Sequence, residues 1–414
     1  MLEIAHPRGR EHERQYLYPL VFERWLGLPC RLSAEDRSDV ELRMEGRTLV
    51  LPEVLFATKD WLGASSLPSD ETLYGDDLLG GIFFLITRYE EAIPGALDTH
   101  GRFPSSRSIT ASAAERPLAD EYTQLLSRQI EAVWPGSTRF DTRFRVSLSH
   151  DVDWPLASSP LPVTLRRAAA DALKRRDPDL ALRRLRGWAL DRAEIDGFDP
   201  FDTFDLIMDQ SEKADVRSAF YFIADHSHPT LDGTYRIDEP RIRRIIARIA
   251  ERGHEIGLHG SYESYASADR LRSELDRLRS VAPPREQWGL RQHFLRWQNP
   301  SSWRAAAAAG FAYDTTLGFA DRAGFRCGTA RAYPVFDLIE RRQLPLEERP
   351  LIVMEAALLR AQEMEARAFI EALRRIKAAC RPTGGTLSLL WHNNLLASQK
   401  HKTLYREAVE ELVS

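Results

Sequence analysis

Within residues 144–155, FRVSLSHDVDWP, Asp151 and Asp153 stand two residues apart at the end of an alternating apolar segment. Phe144, Val146 and Leu148 alternate with Arg145, Ser147 and Ser149, which predicts a strand with one buried face. Trp154-Pro155 stops it. On an extended backbone residues i and i+2 point the same way, so both carboxylates would face one pocket. Such a pair is stable when a cation or a shared proton relieves the repulsion. A metal ligand beside a general base would use both groups, whereas an isolated pair of aspartates commonly does no more than cap turns.

The elements that would position them follow along the chain. Short apolar segments recur at residues 218–224, 254–259, 290–294, 311–317, 351–357 and 386–391, with helical patterns between several of them. Ile242, Ile245, Ile246 and Ile249 follow Asp238 and Pro240, and Leu271, Leu275 and Leu278 follow Ser267. Seven strands alternating with helices predict a parallel α/β barrel, in which a site forms at the C-terminal strand ends. Polar groups cluster at those ends: Asp151 and Asp153, His259, Arg291-Gln292-His293, Asp314, Glu355, and His392-Asn393. Six ends bearing such groups point to a functional rim.

Ahead of the barrel, Val40, Leu42 and Met44, a turn at Glu45-Gly46, then Leu49 and Leu51 predict a hairpin. A buried helix is expected from Leu78 behind Asp76-Asp77, and an amphipathic one from Pro117 to Trp134. Pro135-Gly136 marks the expected boundary between a smaller α/β N-terminal domain, 1–136, and the barrel, 137–414. His100, in a DTHGRF loop, is a lone loop histidine, a kind that more commonly serves structure or faces solvent.

The chain has 414 residues and 43 % hydrophobic content, enough for a sizeable core. A net charge of -4 gives no general attraction to nucleic acid. Cys30, Cys327 and Cys380 are far apart, so neither a disulfide framework nor a thiolate metal site is indicated. The N-terminus lacks an apolar signal core, and a cytoplasmic location is expected.

The rim motifs and their order resemble those of the polysaccharide deacetylases, the NodB-homology or carbohydrate esterase family 4 domain. Asp151 and Asp153 are similar to that family's opening aspartate pair. His259 in HGSYESY resembles its second motif, Arg291-Gln292-His293-Phe294 its third, and Leu390-Trp391-His392 its last. The likeness covers roughly Arg145 to His401. IFFLITRYEEAIP and DTHGRFP further resemble a bacterial subgroup with an extra N-terminal domain. It implies a distorted (β/α)7 NodB-like barrel and a hydrolase acting on carbon–nitrogen bonds, releasing acetate from an N-acetylated sugar or glycan precursor.

The resemblance also implies roles. Asp153 and His259 would hold a divalent metal, zinc with cobalt or nickel as alternatives. Asp151 would be the general base with Arg291 beside it, the Phe294 backbone N–H would bind the oxyanion, and His392 would be the general acid oriented by Glu355. The family's second motif has a further histidine where this chain has Glu263. The third ligand is therefore expected from Glu263, whose carboxylate suits zinc, or from His293, which stands where the motif has proline. Two alternatives follow: an amidohydrolase on a non-sugar amide, and an inert glycan-binding or assembly protein that keeps the barrel.

One insertion lies outside these motifs. Between 161 and 192 run many cations, among them Arg167, Arg175, Arg183, Arg184, Arg186 and Arg192, with Leu182, Leu185 and Ala189 forming an apolar stripe. It reads either as a solvated basic face or as a contact for a phosphate-bearing substrate or an anionic membrane surface.

Overall fold

In the computed structural model, residues 1–157, 161–191 and 199–414 are described. Arg192, the last cation of the predicted insertion, lies outside them. The first four strands, β1 (Leu2–Pro7), β2 (Cys30–Glu35), β3 (Val40–Met44) and β4 (Arg47–Leu51), form one sheet in the order β2-β1-β3-β4. β3 and β4 are the predicted hairpin, with Val40 paired to Leu51 and Met44 to Arg47 around Glu45-Gly46. α1 (Glu11–Tyr18) precedes β2, and α2 (Leu78–Ile86) and α3 (Leu118–Val133) follow β4. All nine residues of α2 are buried. Its start is fixed by Asp77, which accepts from the Gly80 N–H at 2.7 Å while also taking the Val54 and Leu55 N–H groups.

The second sheet has nine strands: β5 (Phe144–Val152), β6 (Ala219–Ile223), β7 (Glu255–Gly260), β8 (Gly289–Gln292), β9 (Tyr313–Asp314), β10 (Tyr333–Asp337), β11 (Arg342–Glu348), β12 (Val353–Met354) and β13 (Gly385–Leu390). Their order is β10-β11-β9-β8-β7-β6-β5-β13-β12, and all pairings are parallel except β10 with β11. The helices are α4 (Leu161–Leu173), α5 (Pro178–Asp191), α6 (Phe204–Lys213), α7 (Pro240–Glu251), α8 (Ala268–Arg279), α9 (Ser301–Ala309), α10 (Ala366–Cys380) and α11 (Gln399–Val413). α7 turns Ile242, Ile245, Ile246 and Ile249 inward, as their spacing predicts.

The sheet is strongly curled. β12 and β9 lie six strands apart, about 29 Å on a flat sheet at ~4.8 Å per strand. Yet Leu351, just before β12, donates to the Leu317 carbonyl just after β9 at 3.2 Å, and Gly324 donates to Ile352 at 2.9 Å. The result is a mixed α/β half-barrel with nine strands where the sequence reading counted seven, its seam bridged by loops. The two uncounted strands are the β10–β11 hairpin. Pro334 and Pro345 mask it in the sequence, since proline removes a ladder donor. Pro334 lies on the edge strand, and Pro345 precedes the Glu347 and Glu348 positions where β11 meets β9.

Candidate metal centre

Asp151 lies in the last turn of pleat of β5 and Asp153 just beyond it, so both carboxylates reach the rim. Three imidazoles approach them from other strand ends. His259 Nε2, at the end of β7, is 3.2 Å from Asp153 Oδ1. His293 Nε2, just past β8, is 3.5 Å from the same oxygen. His392 Nε2, beyond β13, is 3.7 Å from Asp153 Oδ2.

Each imidazole is turned toward Asp153 by a bond at its other nitrogen. His259 Nδ1 lies 2.8 Å from the Arg291 carbonyl, His293 Nδ1 3.1 Å from Asp232, and His392 Nδ1 2.5 Å from Glu355. At His259 and His293 such partners fix the ring and can leave Nε2 as the outward lone pair, the arrangement a metal-binding histidine needs. Asp153, His259 and His293 bring ligand atoms within 4.8 Å of one another. Asp153 Oδ1 is buried with no hydrogen-bond partner, an orphan that a bound cation would satisfy. A carboxylate and two imidazoles suit a zinc-like ion. The residues therefore fit a divalent metal.

Of the two expected sources for the third ligand, the structure brings His293 to the cluster and leaves Glu263 out. The Glu263 carboxylate is exposed and pairs with Arg296 at 3.0 Å. The chain turns sharply after β8: Phe294 and Leu295 both adopt left-handed backbone, φ 59° and 53°. Such strain costs on the order of 1 kcal/mol per residue and gathers at functional sites. The Phe294 carbonyl is held by Arg102 at 2.8 Å.

The second carboxylate lies between Arg291 and the cluster. Asp151 Oδ1 meets Arg291 Nη1 at 3.4 Å, and Asp151 Oδ2 lies 3.6 Å from His259 Nε2. Arg291 is itself fixed, donating to Thr315 Oγ1 at 2.7 Å and Ser149 Oγ at 3.2 Å. Glu355, fully buried, also accepts the His392 backbone N–H at 3.0 Å. Burial would depress the His392 pKa, but the Glu355 charge and hydrogen bond, with Asp153 and Asp151 behind, raise it to about 10. Burial would push the Asp153 carboxyl up, yet His293 and His259 carry it well below the usual range.

The other histidines do different work. His150 is buried on the opposite face of β5, its Nδ1 2.8 Å from the Trp391 carbonyl, and burial lowers its pKa to about 3. His226 Nε2 meets the Tyr235 carbonyl at 2.6 Å, and His228 Nδ1 accepts from the Leu231 N–H at 3.2 Å. His100 reaches the rim from the N-terminal region, with its ring 4.6 Å from that of Phe294 and Nδ1 3.1 Å from the Tyr262 hydroxyl. Asp314 turns away from the cluster, accepting the Thr316 N–H at 3.1 Å.

Sequence reasoning missed Asp232. Besides His293 it takes the N–H groups of Ser227, His228 and Tyr262 at 2.7–2.8 Å, tying two rim loops to that imidazole. Its one signal was the Asp232-Gly233 pair, a turn signature. The glycine is required, because a Cβ there would lie 2.2 Å from the Asp153 carbonyl oxygen.

Residues 2–135 match the model of a family of unknown function (DUF7033). No curated protein matches the chain. Among solved structures it is similar to a candidate polysaccharide deacetylase from Mycobacterium smegmatis, at 20 % identity over 68 % of this chain and 86 % of that one, TM-score 0.42. It is also similar to an allantoinase, at 13 % over 67 % and 85 %, TM-score 0.40. A CE4 family pseudoenzyme from Bacillus anthracis matches at 10 % over 65 % and 61 %, TM-score 0.33. Likeness at this level leaves the chemistry to be read from the chain's own geometry.

Proposed function

We propose that the chain is a metal-dependent hydrolase of amide bonds that releases acetate from an N-acetylated sugar or glycan precursor. The observation that carries this reading is the convergence of three anchored imidazoles on Asp153, with a second carboxylate, Asp151, held beside them by Arg291. Asp153, His259 and His293 would hold the ion. When bound, it would supply Lewis acidity that polarises an acyl oxygen and lowers the pKa of water.

The remaining roles belong to the protein. Asp151 has one oxygen on Arg291 and the other toward the cluster, the position from which a carboxylate takes a proton from attacking water. His392, on the other side of Asp153, gives its proton to the departing nitrogen, and Glu355 holds the ring so that Nε2 faces the reacting bond. The strained turn at Phe294 would present its backbone N–H to the developing oxyanion. The sugar acetamide follows from the motif resemblance, whereas the site geometry itself fits any small acyl amide.

The test is acetate release from N-acetylated hexosamines and their oligomers, with cyclic amides assayed for ring opening in parallel. The reading expects acetate release that a chelator abolishes and zinc, cobalt or nickel restores. Ring opening without acetate release would replace the sugar by another amide, and saturable glycan binding without turnover in any metal would make the protein an inert binder.

A further inference from the structure

Beside the candidate site, the predicted basic insertion forms one wall of a cleft of about 750 Å³. α4, α5 and the link between them supply Arg167, Arg184 and Arg175, and the opposite wall supplies Arg360, Lys400 and His401. The cleft adjoins the rim through Trp154, which follows Asp153, and Asn394, two residues after His392.

Its charges are not balanced from within. Asp171, fully buried, accepts from Arg184 Nε at 2.7 Å and also pairs with Arg175. Lys400 pairs loosely with exposed Glu365 at 3.4 Å. Asp177 spends an oxygen on the Leu180 N–H at 2.8 Å. Arg167 and Arg360 carry no ion pair among the described residues. Most telling is Arg184: its side chain is only 4 % exposed, and its Nη1 is buried without a hydrogen-bond partner. A buried guanidinium N–H left unmade is costly, and it calls for an acceptor. Burial, and after it the guanidiniums of Arg184, Arg166 and Arg175, holds the Arg167 pKa below its usual value, a crowding that an anion would relieve.

We infer that this cleft is a subsite for a phosphoryl group, and that it selects sugars carrying a phosphate or diphosphate next to the acetamide. A phosphoryl group brings nearly two charges and three acceptor oxygens, which matches Arg184 Nη1 with Arg167 and Arg360 around it. The selection of an acetamido sugar rests on the proposed function, whereas the anion site itself does not. The same group could arrive on a soluble nucleotide-linked sugar or on a lipid headgroup.

The experiment compares kcat/KM for an N-acetylhexosamine, its 1-phosphate and its nucleoside diphosphate form in wild type, Arg184→Gln and Arg360→Ser. Phosphorylated forms should be preferred by wild type, and each variant should cut that preference by about tenfold or more, the worth of a charged hydrogen bond, with kcat on the neutral sugar unchanged. Exposed Arg360 serves where Arg184→Gln fails to fold. No preference in wild type, or one that survives both substitutions, overturns the inference while leaving the amide hydrolase standing. Should no sugar be turned over, calorimetric titration with methyl phosphate decides. Binding weakened in the variants upholds the anion site although the catalytic reading has failed, and no binding overturns it. Phosphatidylglycerol vesicles bound through Arg360, with soluble phosphates ignored, would likewise overturn it in favour of a membrane surface.

Discussion

Asp151 and Asp153 sit two residues apart and have opposite surroundings. Asp153 faces three imidazole nitrogens within 3.7 Å, whereas Asp151 faces the Arg291 guanidinium at 3.4 Å and one imidazole, His259, at 3.6 Å. That difference is what the proposed roles rest on, the first in metal binding and the second in proton transfer. Asp151→Asn keeps the shape and the Arg291 contact but removes the base, so turnover should fall by about 10²–10⁴-fold while bound metal is retained. Asp153→Ala should lose metal and turnover together. Equal metal loss in both variants, measured on purified protein, would show the roles reversed or shared. Asp151, Asp153, His259, Arg291 and His392 were legible because each is an ionisable or polar side chain at a strand end. The choice between Glu263 and His293 was not, because it turns on the left-handed backbone at Phe294 and Leu295, which no residue type there announces. Asp232 was hidden because it lies in a loop, where periodicity gives no signal.

The strands and helices that carry these groups followed from apolar spacing, since core-facing residues must repeat with the period of the element. What escaped is the β10–β11 hairpin, interrupted by prolines, while β9 and β12 are only two residues each within longer predicted segments. One helix contributes a pH-dependent contact under the rim. Glu274 of α8 accepts the Ser261 N–H at 3.0 Å and also the Ser261 hydroxyl, two residues after His259. Burial, with Asp225 and Asp232 nearby, raises its pKa from 4.5 to about 7 despite those bonds. A carboxyl raised on folding favours the protonated native state, so its contribution is complete below the unfolded value of 4.5 and is lost as pH climbs through about 7. The loss is up to about 3 kcal/mol over that window. Glutamine, uncharged throughout, avoids it. Thermal midpoints of wild type and Glu274→Gln should be similar near pH 4.5 and diverge toward pH 8, with the variant higher; a constant gap would show that Glu274 does not titrate there.

At the scale of the molecule, the four-stranded sheet and the half-barrel share one apolar cluster, from Leu2 and Ile4 of β1 to Leu389 of β13 and Leu412 of α11. The β10–β11 hairpin is the junction: Phe336 packs on Tyr16 and Phe83 with ring centroids 4.9 and 5.6 Å apart, and the Tyr16 hydroxyl donates to the Pro334 carbonyl at 2.7 Å. Polar contacts reinforce it. Arg326 pairs with Glu91 at 2.6 Å, and Asn299 donates to the Thr87 and Arg88 carbonyls. The N-terminal region also reaches the rim, through Arg102 on Phe294 and Arg296 on the His100 carbonyl at 2.9 Å. The apolar cluster runs across the boundary expected at Pro135-Gly136, because composition marks chain turns but does not reveal which surfaces are apolar toward each other. With so much shared core, a fragment of residues 137–414 should be insoluble or melt without cooperativity, and the full chain should unfold in one transition. A fragment that melts cooperatively at the full-length temperature would instead establish two independent domains.

Asp153, His259 and His293 are proposed to form a metal site. Metal content of the purified protein, measured in wild type beside His293→Ala and Glu263→Ala, tests it most directly. The structure predicts about one divalent ion per chain in wild type and in Glu263→Ala, and its loss in His293→Ala. Metal retained without His293 but lost without Glu263, or no metal in wild type after incubation with zinc, cobalt and nickel, would contradict it.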